Sequence, residues 1–188
     1  MKKKMVIGIT GASGAIYGIR LLETLRELDI ESHAVISSSA VKTIHHETDY
    51  TINQVESMCS YLYDTSDIGA AISSGSFKVD GMIIAPCSIK TLSSIANSFN
   101  DNLITRAADV TLKERRKLVL MVRETPFHLG HLKLMQSITE MGGVILPPVP
   151  SFYHLPQSLD DIVNQSVGKA LDQFNIEANL FTRWSGLE

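Results

Sequence analysis

The chain has 188 residues, 44% of them hydrophobic and 20% charged, which is enough apolar content for a packed core and too much for a disordered chain. Its formal net charge of −3 supplies no broad basic field, so nucleic acid is not an expected partner and any anion site has to come from a local cluster. The two cysteines, Cys59 and Cys87, stand far apart with no CxxC, which argues against a disulfide framework or a thiolate zinc site.

The opening Met1-Lys2-Lys3-Lys4 has the charge of a leader, but the apolar run Met5–Ile9 breaks at Thr10-Gly11-Ala12-Ser13-Gly14 before a leader's apolar segment develops. No stretch reaches the ~18 apolar residues of a membrane span. No membrane association is expected, and the cytoplasm is the expected compartment.

In chain order, Met5–Ile9 reads as a buried strand, and Ile16, Ile19, Leu22, Leu25 and Leu28 mark one apolar helix face. His33–Ile36 reads as a strand, Ala40–Glu47 as a helix and Ile52–Tyr63 as another helical stretch. The turn-rich Ala71–Lys78 reads as a functional loop. Met82–Ala85 is a strand stopped by Pro86, followed by a helix on Ile89, Leu92 and Ile95 and a second over Leu103–Glu114. Leu118–Val122 is a strand, Leu129–Met141 a helix, and Val144–Leu146 a last strand closed by Pro147-Pro148-Val149-Pro150. Leu159–Phe174 is a terminal helix with Ser158 as N-cap and Asp160 and Asp161 in its first turn. Strands alternating with helices predict one α/β domain over residues 1–188, with a parallel sheet covered on both faces.

The first strand–loop–helix carries Gly8-x-x-Gly11-Ala12-Ser13-Gly14, a turn whose backbone can approach an anion at the helix N-terminus. Its spacing is GxxGxxG, not the dinucleotide GxGxxG, and the second strand ends in Ser37-Ser38-Ser39 where an acid would hold a ribose. NAD is therefore disfavoured. Ser37, Ser88 and Thr91, all expected at strand ends, can converge with Ser13 on one crevice. Cys87 reads as a small packing residue, with no histidine beside it in sequence to activate a thiol.

Seven motifs then occur in one order. They are Gly11-Ala12-Ser13-Gly14-Ala15 with Tyr17-Gly18, Glu47-Thr48-Asp49, Pro86-Cys87-Ser88, Arg106-Ala107-Ala108-Asp109-Val110, Leu112-Lys113-Glu114-Arg115-Arg116, Arg123-Glu124-x-Pro126 and Phe152-Tyr153-His154. Spread from Val6 to Trp184, the series resembles the UbiX-type flavin prenyltransferases. The resemblance implies a Rossmann-like (flavodoxin-like) three-layer sandwich assembled as a homododecamer, with active sites between subunits. It implies transfer of a dimethylallyl group from dimethylallyl phosphate to reduced FMN, giving prenylated FMN for UbiD-type decarboxylases, often in ubiquinone biosynthesis.

By position, the resemblance implies FMN contacts at Gly11, Ala12, Ser13, Ser37, Ser88, Ile89, Lys90, Thr91 and Arg123. It implies that Tyr153 and Lys169 hold the prenyl phosphate and that Ser13, Glu47, Arg106, Lys113, Glu124 and Trp184 are active-site residues. Lys169 stands where many relatives carry arginine; it keeps the charge and loses the bidentate fork. Nothing in Asn53–Ile72 belongs to the series.

The residues suit such chemistry without a metal. Asp160-Asp161-x-x-Asn164 is the nearest thing to an aspartate-rich prenyl diphosphate motif, but acids in a first helical turn are ordinary dipole complements. Arg106 and Lys113, seven apart on one predicted helix, share a face and can neutralise a departing phosphate. Glu47 and Glu124 can exchange protons, and Tyr17 and Trp184 offer π faces to an allylic cation. His128-x-x-His131 lacks a third ligand at diagnostic spacing, so no metal is assigned. Two alternatives stay open: a flavin-dependent decarboxylase of the phosphopantothenoylcysteine type, whose Pro-x-Met-Asn signature is absent, and a non-catalytic FMN carrier.

Overall fold

The structure is a computed structural model that describes residues 2–186. It opens with β1 (Lys4–Ile9), α1 (Ala15–Glu27), β2 (Glu31–Ile36), α2 (Ser38–Glu47), the short α3 (Ile52–Glu56) and β3 (Tyr61–Tyr63). A 3-10 turn at Ala71–Ser73 leads to β4 (Gly81–Cys87), α4 (Ile89–Ala96), α5 (Leu103–Lys113) and β5 (Lys117–Val122), then α6 (Leu129–Glu140), β6 (Val144–Ile145) and α7 (Leu159–Asp172). The strands form one sheet in the order β3-β2-β1-β4-β5-β6, every pair parallel. That is the Rossmann order; with the three-residue β3 set aside, the remaining five follow the flavodoxin order.

Alternation along the central strands builds two cores. Met5, Ile7, Ile9, Ile83, Ala85, Val119 and Met121 face one side, where they pack with α1, α2 and α7. Their neighbours Val6, Met82, Ile84, Leu118, Leu120 and Val122 face the other, against α4, α5 and Ile138 of α6. β4 is buried along its whole length and β1 from Met5 to Ile9, the signature of strands covered on both faces.

Most element ends fall within one or two residues of the sequence-based expectation, and two differences have a clear physical cause. The helix expected over Ile52–Tyr63 stops at Glu56, and the chain re-extends as β3. Ser32 and Ser60 exchange backbone-to-hydroxyl hydrogen bonds of 3.1 and 3.0 Å, which aligns Tyr61–Tyr63 with His33–Val35. Tertiary pairing wins over a weak local helical pattern there. β4 also continues past Pro86 to Cys87, with the ladder to β5 slipping register between Ile84 and Cys87. A proline has no N–H for a regular rung, so the strand passes it only with that irregularity. Ser158 caps α7 as expected, in a capping box with Asp161. Asp160 instead binds Arg20 of α1 at 3.0 Å, so both acids have structural partners.

The helices sit close to the sheet. A Cβ on Gly18, in the first turn of α1, would lie 2.4 Å from the Ala85 carbonyl oxygen and 2.8 Å from the Ile9 side chain. Gly18→Ala gains about 1 kcal/mol of helix propensity, but overpacking against backbone costs about 1–3 kcal/mol. Net destabilisation is the expected outcome, read as a lower urea midpoint at unchanged slope; a midpoint at or above wild type would show that α1 can lift off β4 at little cost.

Candidate active site at the carboxyl ends of the strands

Parallel strands deliver all their carboxyl ends to one edge, and the order reverses between β1 and β4, where a crevice is expected. A cleft of about 500 Å³ opens there, within the usual range for small-molecule sites. Its walls are the strand-end segments: Thr10 and Gly11 after β1, Ser37–Ser39 after β2, Thr65 after β3, and Ser88, Lys90 and Thr91 after β4. Asp101, Asn102 and Ile104 close it from the start of α5.

Three helix N-termini meet at this cleft. Ser37 caps α2 by accepting from the Ala40 N–H at 3.1 Å, Ser88 caps α4 from Thr91 at 3.3 Å, and Asn102 caps α5 from Thr105 at 3.1 Å. Each end carries roughly half a positive charge, so together with the hydroxyls they favour an anion. The expected convergence of Ser37, Ser88 and Thr91 is present. Thr10, Thr65, Asp101, Asn102 and Ile104 were not anticipated. Asn102-x-x-Thr105 before an apolar run is a readable capping signal, whereas Thr65 was hidden behind the misread helix.

The α1 N-terminus behaves differently from the glycine-turn expectation. Gly14, at φ 100°, is its N-cap and brings no side chain. The Glu47 carboxylate fills that role, with Oε2 accepting from the Gly14 N–H at 2.7 Å and the Ala15 N–H at 3.3 Å. Burial pushes the Glu47 pKa up, but the Gly14 and Ala15 amides, the Ser13 hydroxyl and the Arg123 charge outweigh it, and the net value lies below the ordinary glutamate range. Neither Ser13 nor Ala12 lines the cleft with Ser37 and Ser88. The reason is local: after Gly11 the chain turns through left-handed Gly14, and the protein supplies its own anion to the helix.

Beside the cleft lies a second hollow of about 410 Å³. Tyr17, Arg123, Glu124 and Thr125 line one side, and Phe127 with Pro147-Pro148-Val149-Pro150 line the other. The Arg123 N–H donates to the Cys87 carbonyl at 3.0 Å, which ties this hollow to the Ser88 wall of the cleft. Burial raises the Tyr17 phenol pKa, and the Arg123 charge draws it part of the way back. The Arg123 charge thus acts on both Tyr17 and Glu47, and the Glu124 carboxylate accepts from the Thr125 N–H at 3.0 Å.

Other expected residues are not brought to either hollow within one chain. Arg106 donates through Nε to the Ser73 carbonyl at 3.2 Å and pairs with Asp109 at 3.3 Å, and Lys113 pairs with Glu114 at 2.5 Å. They do share a face, but it looks onto the Ala71–Lys78 turn, where Gly75 lies against Lys113 and Glu114. α5 starts at the cleft and has descended roughly 15 Å by its last turn, which carries Lys113 away. Tyr153 and Trp184 meet edge to face at 5.8 Å and are 43% and 55% exposed, outside both hollows of their own chain. Lys169 is exposed on the last turn of α7. Cys87 is fully buried, and burial holds its thiol protonated, in keeping with a packing role. His128 caps α6, accepting from the Gly130 N–H at 3.0 Å, and no group of three or more His, Cys, Asp or Glu gathers as a metal site among the described residues.

The Flavoprotein family profile matches residues 1–170. A flavin prenyltransferase UbiX from Thauera aromatica is 61% identical over 185 residues, covering 98% of this chain and 95% of that protein. The crystal structure of AnUbiX in complex with FMN and dimethylallyl pyrophosphate superposes over 100% of both chains with a TM-score of 0.98 and 48% identity. A dodecameric FMN-dependent UbiX-like decarboxylase from Escherichia coli matches 97% of this chain and 100% of that one, with a TM-score of 0.95 and 46% identity. By sequence along nearly its whole length and by fold, the chain belongs to the UbiX-type flavin prenyltransferase family.

Proposed function

We propose that the protein transfers a dimethylallyl group from dimethylallyl phosphate to reduced FMN and releases prenylated FMN for a UbiD-type decarboxylase, in a ubiquinone-biosynthesis setting. The observation that carries this reading is the side-by-side placement of two hollows. One is polar and lined by three helix N-termini; the other is walled by Phe127 and the Pro147–Pro150 segment and bordered by Arg123 and Glu124. The first fits a phosphate-bearing cofactor such as FMN, with Ser37, Ser88, Lys90 and Thr91 as holders and Gly11 as the close backbone wall. The second has the apolar walls and the cation that a prenyl phosphate requires.

Bound FMN would supply the nucleophilic reduced ring. The chain's own task is to neutralise phosphate as the allylic C–O bond breaks, to shield the developing carbon cation from water, and to handle one proton. We assign Arg123 to the first task, Tyr17 to the second and Glu47 to the third. We assign Tyr153, Lys169, Arg106 and Lys113 to phosphate binding across subunit contacts, in a homo-oligomer like the dodecamer of the Escherichia coli relative. No helix among the described residues is long and apolar enough to cross a membrane, and we place the enzyme in the cytoplasm.

The decisive assay is anaerobic incubation of the pure protein with reduced FMN and dimethylallyl phosphate, followed by mass analysis of the extracted flavin. The expected product is FMN heavier by one dimethylallyl unit, formed equally well after exhaustive EDTA treatment. Unchanged FMN would remove the reading, and strict dependence on added magnesium would remove its metal-independence.

Lys169→Ala is expected to keep FMN and lose prenyl transfer by about thirtyfold to a thousandfold, on the order of 2–4 kcal/mol for loss of a preorganised charge donor. Flavin absorbance and product mass measure the two effects separately. Loss of FMN with normal turnover in the residual holoenzyme would reverse the assignment.

Glu47 has a lowered folded-state pKa, so its contribution to stability is complete above the unfolded glutamate value of about 4.3 and is lost as pH falls through the lower folded value. The stability difference between wild type and Glu47→Gln should shrink with acidification across that window. A difference independent of pH would mean that the carboxylate charge is not what caps α1.

A further inference from the structure

We infer that Thr10 is a positioning residue for the flavin cleft, acting through Ser88 and the N-terminus of α4; the inference rests on the FMN reading above. The ladder between β1 and β4 runs from Met5–Gly81 to Gly8–Ile84 and stops there. Two residues on, Pro86 has no N–H to continue it. The Thr10 side chain replaces the missing rung: its hydroxyl donates to the Pro86 carbonyl at 2.8 Å and accepts the Ser88 N–H at 2.9 Å. The Thr10 N–H adds a bond of 3.3 Å to the same carbonyl. Thr10 is 2% exposed, so water does not compete for these contacts.

This arrangement fixes the direction of the Thr10 proton. A hydroxyl has one proton, and because the Ser88 N–H can only donate, the Thr10 proton is committed to Pro86. Thr10 therefore has no proton left for a ligand and works indirectly. Ser88, held by its backbone, caps α4 and donates its own hydroxyl to Thr91 Oγ1 at 3.1 Å. Thr91 also lines the cleft, so the two hydroxyls and the N-terminus of α4 are aimed as one unit by a bond that starts just after β1. The Cys87 carbonyl, between Pro86 and Ser88, accepts from Arg123 and carries the same constraint to β5.

Thr10→Ser and Thr10→Ala test this as a pair, because both lose the methyl group and only alanine loses the hydroxyl. The readouts are the FMN dissociation constant from flavin fluorescence, the visible spectrum of bound FMN, and circular dichroism of the FMN-free proteins. The serine variant is expected to bind FMN like wild type with the same spectrum. The alanine variant should stay folded, bind about tenfold or more weakly, and show an altered bound-flavin spectrum, in line with a buried donor left unpaired beside the ligand. Equal affinities for serine and alanine, at either the wild-type or a weakened level, would overturn the role of the hydroxyl. An alanine variant that fails to fold without FMN would also overturn it, by making Thr10 a residue of the whole fold. Failure of wild type to bind FMN would instead strike the proposed function.

Discussion

Parallel pairing of β1 with both β2 and β4 is the constraint from which the site follows. Parallel neighbours cannot be joined by hairpins, so each connection crosses over and returns through or past a helix. Strand carboxyl ends and the N-termini of the following helices then collect on one edge of the sheet. Between β1 and β4 the order reverses, and the loops that leave them diverge to open a crevice. The burial of those same two strands makes the floor of the crevice a tightly held part of the molecule, so the hydroxyls above it are carried on rigid elements.

Electrostatics divides the helix ends between two tasks. Glu47 is the last residue of α2, where a carboxylate is disfavoured by that helix's own dipole. It is held there because the α1 N-terminus offers it two backbone amides, and its local disadvantage is offset by a tertiary contact. With α1 satisfied from within, the ends of α2, α4 and α5 remain directed at the cleft. A residue that contradicts local preference is a common mark of a functional position. Glu47 is held ionised there by the Gly14 and Ala15 amides, with the Arg123 charge adding to them.

A single chain leaves part of the proposed machinery facing outward. Phe127, Leu129, Leu132, Val149, Phe152 and Leu155 are exposed on and around α6 and the Tyr153 segment. Of the residues in α6, only Ile138 is fully buried, with Leu134 and Met135 packed partly buried against the same core. Exposed apolar surface of this kind usually marks an interface. It fits the proposed assembly, in which Tyr153, Lys169 and Trp184 would meet a neighbour's cleft instead of solvent.

Much of this protein could be read from its residues in order. Apolar runs alternating with helical periods specified the parallel sheet, because a strand buried on both faces has no polar side to show. The serines ending β2 and opening α4 announced a hydroxyl-lined site, because capping residues are local signals. The ordered motifs carried the family. What could not be read were contacts whose partners are distant in sequence. Tyr61–Tyr63 became a strand through its pairing with β2, Thr65 reached the cleft only because of that strand, and Glu47 took the α1 N-terminus across a gap of 33 residues. The helical spacing of Arg106 and Lys113 put them on one face, but only packing decided that the face meets the Ala71–Lys78 turn. Local sequence limits the conformations of each segment and the chemistry it carries; which of those chemistries meet is decided by burial and hydrogen bonding between segments that the chain itself keeps far apart.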